Sequence, residues 1–113
     1  ERTNGWPMPL GGNVVRRDLG QQIMEDITMY TKMSIEHSIE HPDKALEFAK
    51  AWGRGIDDTT NKKFVTMYVN ERTIDYMPEG RKSIKQFLKE GQEIGLIRTD
   101  FDVDNISFIG AME

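Results

Sequence analysis

Trp6-Pro7-Met8-Pro9-Leu10-Gly11-Gly12-Asn13-Val14-Val15-Arg16-Arg17-Asp18-Leu19 decides how the rest of the chain is read. Pro7 and Pro9 remove two backbone donors, Gly11 and Gly12 permit close approach of the main chain, and Asn13-Val14-Val15-Arg16 is β-branched and short. The stretch therefore predicts a loop leading into one strand over about Asn13 to Arg17. Asp18 is then placed to cap a helix. Everything downstream reads as helices packed onto that strand.

Outward from this stretch, helix one is expected to begin near Asp18. Leu19, Ile23, Ile27 and Tyr30 recur at spacings of four and three, with Met24, Thr31, Ile35 and Ile39 beside them, so the helix carries a wide apolar stripe. It should end by His41, because Pro42 disfavours helical geometry in the residue before it. Pro42 and Asp43 suit the first turn of helix two, with Ala45, Leu46, Ala49 and Trp52 as its buried edge and Gly53 as its stop. Asp57 is the expected cap of helix three, whose apolar side is Phe64, Val65, Met67, Tyr68 and Val69. Asn70 to Met77 reads as an irregular turn, because Thr73-Ile74-Asp75-Tyr76 has strand-like composition in a helical neighbourhood. Helix four is expected from Pro78 to Glu93, with Ile84, Phe87, Leu88 and Ile94 as its stripe and Gly95-Leu96-Ile97 as a Schellman ending. Residues 98 to 113 form an acidic tail, either pinned across a surface or partly ordered. Residues 1 to 5 read as a loop or the end of a preceding helix.

Composition bounds the class. The chain has 113 residues, 37% hydrophobic and 30% charged, which suits one soluble globular unit. Fifteen Lys and Arg against 19 Asp and Glu give a formal charge of -4, which disfavours a nucleic-acid partner. There is no cysteine, so disulfides and thiolate metal sites are excluded. No apolar run approaches the roughly 20 residues of a membrane span, and no secretory signal is visible. The opening Glu1-Arg2-Thr3-Asn4, with no initiating Met, predicts a segment of a longer protein.

Candidate chemistry is sparse. Gly11-Gly12-Asn13 can present backbone amides to an anion, with Arg16 and Arg17 supplying charge, although a turn before a strand explains the same residues. His37-Ser38-Ile39-Glu40-His41 matches the zinc pattern H-x-x-E-H, but it lacks a third ligand, and His41 at a helix end suits contact with terminal carbonyls instead. Tyr68 with Asn70, the methionines Met8, Met24, Met29, Met33, Met67 and Met77, and Trp6 and Trp52 read as packing residues first. Asp57-Asp58 and Asp102 with Asp104 read as a cap and a solvated tail. Asn105-Ile106-Ser107 has the form of a glycosylation acceptor, which matters only in a secreted protein. No catalytic residue, metal site or cofactor fingerprint is assigned.

Pro9-Leu10-Gly11-Gly12 followed by Asn13 to Val15 and Arg16-Arg17-Asp18-Leu19-Gly20 resembles a segment of the 1,4-dihydroxy-6-naphthoate synthase family, of the futalosine route to menaquinone. The resemblance continues in order through His41-Pro42, Ala45-Leu46, Tyr68-Val69-Asn70 with Asp75, and Glu79-Gly80-Arg81, and covers roughly residues 1 to 97. Gly53-Arg54-Gly55 and the stretch Phe101 to Ile109 depart from it. It implies a two-lobed α/β fold like that of type II periplasmic binding proteins. The organisation would be residues 1–17 as loop and crossover strand, 18–97 as a mainly α stack of about four helices, and 98–113 as a tail. It implies a cytoplasmic lyase-type enzyme acting on cyclic dehypoxanthinyl futalosine without metal or redox cofactor. Its histidine base would lie upstream, His41 would match a structural His-Pro, and His37 has no counterpart. This segment would be scaffold and hinge, with the upstream lobe as its partner and Leu10, Gly11, Gly12 and Asn13 as candidate substrate-binding residues. Two other readings stand beside it: a solute-binding protein or sensor lobe of the same fold, and a self-contained helical interaction module with a closed core.

Overall fold

The computed structural model describes residues 5–53 and 55–110; the readings made for residues 1 to 4 and for Arg54 lie outside the described residues. Five α-helices follow one another: α1 (Gln21–Glu40), α2 (Pro42–Lys50), α3 (Asp58–Tyr68), α4 (Glu71–Ile74) and α5 (Met77–Glu93), with 3-10 turns at Arg17–Leu19 and Val103–Asn105. α1 packs against α2 and α4, α2 against α3, and α5 against the second 3-10 turn.

The expected crossover strand and the α/β two-lobed architecture are corrected here: no strand or sheet exists among the described residues. Arg16 is extended, with φ −68° and ψ 128°, but an extended segment becomes a strand only when its amides and carbonyls meet a second one. The prolines have already removed two donors. Val14, which should have packed in a sheet, is 99% exposed. The segment is an unpaired strap.

Asp18 does not cap α1. Its carboxylate is held by the Arg16 guanidinium, with Nε to Oδ1 at 2.9 Å, and Gly20 at φ 83° breaks the 3-10 turn from the helix that starts at Gln21. Downstream, the local signals hold. The N–H of His41 closes α1 on the His37 carbonyl at 3.0 Å, and Pro42 opens α2. Asp57 caps α3, its carboxylate accepting from the Thr60 amide at 3.0 Å and from the Thr60 hydroxyl at 2.6 Å. The expected irregular turn after Tyr68 holds a single helical turn, α4. There the Asn70 side chain accepts from the Arg72 amide at 3.0 Å, and the Asn70 amide donates to the Thr73 hydroxyl at 3.1 Å, a reciprocal cap.

α5 starts at a strained point. Met77 has φ 58°, unusual for a residue with a side chain, and Pro78 after it already disfavours the helical region. Asp75 holds the bend, with Oδ1 accepting from the Met77 amide at 3.0 Å and pairing with Arg81 at 2.7 Å. The far end is the expected Schellman motif. The Leu96 amide reaches the Gly91 carbonyl at 2.9 Å, and the amide of Gly95 (φ 75°) reaches the Gln92 carbonyl at 3.1 Å. Ile97 folds back over Gly91, where a Cβ would stand 2.5 Å from its Cδ1. Only glycine leaves room for that contact.

The tail is pinned to α5 by its 3-10 turn, to Tyr76 by Phe108, and passes Thr28 of α1 at Gly110. Val103, 2% exposed, is the better shielded of the two apolar side chains buried among the described residues, Met24 being the other. Asp102 caps the turn, accepting from the Asp104 amide at 2.9 Å, while staying exposed to solvent. Lys85 donates to the Asp104 carbonyl at 2.7 Å, and Lys89 pairs with the Asp104 carboxylate at 2.8 Å. That hydrogen bond from Lys89 holds the Asp104 carboxyl below the usual carboxylate range. A carboxyl depressed in the folded state contributes stability above its unfolded pKa, about 4, and loses the contribution as pH falls through its folded value. Asp104→Asn should therefore melt below the wild type at pH 6, by a small margin because the pair is exposed, and the two curves should converge below about pH 3 in thermal melts followed by circular dichroism.

The helices do not close over one another. The radius of gyration is 16.3 Å where a compact chain of this length has about 13 Å, and the accessible surface is 9299 Å² where about 6,300 Å² is usual. The stripe of α1 forms as a face but stays uncovered at Ile23, Ile27 and Tyr30, and Trp52, expected to anchor α2, is 78% exposed. The closed core required of a self-contained helical module is not formed among the described residues.

Candidate functional site

The strap crosses the junction of α3, α4 and α5 and walls a cleft of about 380 Å³, within the range of small-molecule sites. Its near end is fixed by the Ser83 hydroxyl, buried on α5, which donates to the Pro7 carbonyl. Farther along, the strap passes so close to Tyr76 that a Cβ on Gly12 would sit 3.1 Å from the phenolic oxygen. Gly80, buried on α5, lies against the stem of the same side chain, since a Cβ there would lie 3.2 Å from the Tyr76 Cβ. The edge of Phe108 meets the Tyr76 ring at a centroid distance of 6.0 Å, which ties the tail to the same wall.

The four strap residues singled out from the sequence, Leu10, Gly11, Gly12 and Asn13, all line this cleft. The charge assigned to Arg16 does not reach it. That guanidinium is neutralised by Asp18 on the exposed turn, which raises the Arg16 pKa through the shared hydrogen bond. The cation in the cleft is Arg72 of α4, which the sequence reading left unassigned. Tyr68, read as a core residue, also lines the cleft and packs its ring on Phe64 at 4.7 Å. Asn70 and Thr73 line it too, but their polar atoms serve the backbone. Asn70 Nδ2 donates to the Met67 carbonyl at 3.2 Å and Thr73 Oγ1 to the Tyr68 carbonyl at 3.0 Å. The Asn-x-x-Thr spacing at 70 and 73 is the signal by which α4 could have been found.

His37 and His41 stand edge to face, 4.4 Å between ring centroids, on the α1–α2 corner. Among the described residues no third histidine or carboxylate joins them in a group that could hold a metal. No helix among the described residues is long and apolar enough to cross a membrane.

The cleft and the strap belong to a part of the chain with clear relatives. The sequence pattern of the menaquinone biosynthesis family matches residues 1–93, and the chain belongs to that family. It is similar to the 1,4-dihydroxy-6-naphthoate synthase of Thermus thermophilus, 29% identical over 96 residues covering 85% of this chain and 35% of that protein. It is similar also to the 1,4-dihydroxy-6-naphthoate synthase of Streptomyces coelicolor, 26% identical over 97 residues covering 86% of this chain and 34% of that protein. The chain thus spans about a third of the length of these curated relatives. No solved structure matches it.

Proposed function

We propose that the chain is part of an enzyme that converts cyclic dehypoxanthinyl futalosine to 1,4-dihydroxy-6-naphthoate, a lyase-type step of the futalosine route to menaquinone carried out in the cytoplasm. Within it, residues 10 to 13 form the wall against which the substrate lies, and α3 to α5 form the scaffold that holds the wall in place. The observation that carries this reading is the strap itself. Four residues chosen from sequence as substrate contacts border one cleft, inside the stretch matched to the menaquinone family. Among the described residues the cleft lining holds no histidine and no carboxylate, and what those residues contribute is binding and orientation, which can supply a large part of a barrier reduction without proton transfer.

The test is to incubate the full-length protein with cyclic dehypoxanthinyl futalosine and follow 1,4-dihydroxy-6-naphthoate by its absorbance and mass. Release of the naphthoate is the expected outcome. Tight binding of the futalosine derivative with no turnover would instead mark a solute binder, and neither binding nor turnover would overturn the reading.

A further inference from the structure

We propose that Arg72 is the residue by which the cleft recognises a carboxylate carried on a flat aromatic ligand; the proposal rests on the cleft being a ligand site, as above. The charges decide it. Arg16 is paired with Asp18, Arg81 with Asp75 and Arg98 with Asp100. Arg72 has no ion pair and no side-chain hydrogen bond among the described residues, although it lines the cleft. Its Nη1 lies 3.9 Å from where a Gly80 Cβ would stand, so the missing side chain at Gly80 leaves the guanidinium room beside the Tyr76 ring.

Among the described residues no acidic side chain and no second cation line the cleft, which leaves one formal positive charge on an otherwise neutral wall. Asn70 and Thr73 are neutral and already donate to the Met67 and Tyr68 carbonyls, so the charged donor of the lining is Arg72. The cleft that Arg72 lines is also lined by Tyr68 and Tyr76 and by the apolar residues Met67 and Ile84. A guanidinium meets a carboxylate through two parallel hydrogen bonds, and aromatic rings accept a flat partner by offset or edge contact. The ligand class that satisfies both is an aryl carboxylate. The product in the names of both relatives, a naphthoate, is of that class.

The experiment compares 2-naphthoate with 2-naphthol, the same ring system without the carboxylate, as probes titrated into the full-length protein by calorimetry at low salt. The wild type should bind the carboxylate about tenfold or more tightly than the naphthol, and the preference should shrink as salt is added. Arg72→Gln should bring the ratio close to one by weakening naphthoate alone, and Arg72→Lys should restore part of it. Since Arg72 is exposed and unpaired, circular dichroism of both variants should match the wild type. A ratio unchanged in Arg72→Gln, or no preference in the wild type, would overturn the assignment of Arg72. If Gly12→Val leaves the binding of both probes unchanged, they bind elsewhere, and it is the cleft reading that fails.

Discussion

Gly12→Val should weaken ligand binding by about tenfold to a hundredfold while leaving the melting temperature within about two degrees of the wild type. The asymmetry comes from where the two effects live. A single Cβ at this position already stands 3.1 Å from the Tyr76 hydroxyl, and the γ-carbons of valine extend farther. Tyr76 is half-buried between Gly80 and Phe108, so its ring has little freedom to retreat. The strap must lift instead, which opens the wall of the cleft. Tenfold in affinity is about 1.4 kcal/mol, the size of a modest steric misfit. Folding is nearly indifferent, because residues 10 to 14 are exposed, and exposed substitutions change stability by about 0.5 kcal/mol or less. Calorimetric titration beside a thermal melt separates the two; a large drop in melting temperature with unchanged binding would mean that the strap is a structural brace.

The second large effect is expected far from the cleft. Val103→Asp places a carboxylate at a position 2% exposed, against the side of α5, whose nearby cations Lys85 and Lys89 are already engaged by Asp104. Burying an unpaired charge is costly enough that the chain will release the turn rather than keep it, at a loss of about 2–4 kcal/mol. Val103→Ala, which removes two methyl groups and adds no charge, should cost about 1–2 kcal/mol and leave the turn docked. Limited trypsin digestion reads the difference, since cleavage after Arg98 should accelerate in the aspartate variant and not in the alanine variant. Equal cleavage of both would show that Val103 does not hold the tail.

The features legible in the sequence are those written in a few adjacent residues. Pro42 after His41, Asp57 before the Thr60 amide, and Gly95 followed by Leu96 and Ile97 each fix a helix end through contacts no more than six residues apart. The strand was misread for the opposite reason. Val14 and Val15 favour an extended backbone, but whether an extended backbone pairs depends on another segment, and local composition carries no record of one. α4 was hidden because Thr73, Ile74 and Tyr76 have strand-like preferences, while the cap between Asn70 and Thr73 outweighs them.

The site divides along the same line. Leu10 to Asn13 could be chosen because prolines and glycines mark where a backbone comes close to something. Arg72 could not, since it enters the cleft from a distant part of the chain. Arg16 looked like the available charge only because Asp18, two residues on, was taken for a cap.

The sequence pattern of the menaquinone family ends at residue 93, yet the best-hidden valine among the described residues lies ten positions beyond it, and Ile97 and Phe108 also brace the matched helices from outside that limit. Anyone trimming a gene for expression at the edge of the alignment would cut away the clasp that keeps α5 dry and leave Tyr76 without its neighbour. The boundary suited to comparing this chain with its relatives is not the boundary suited to handling it in a tube.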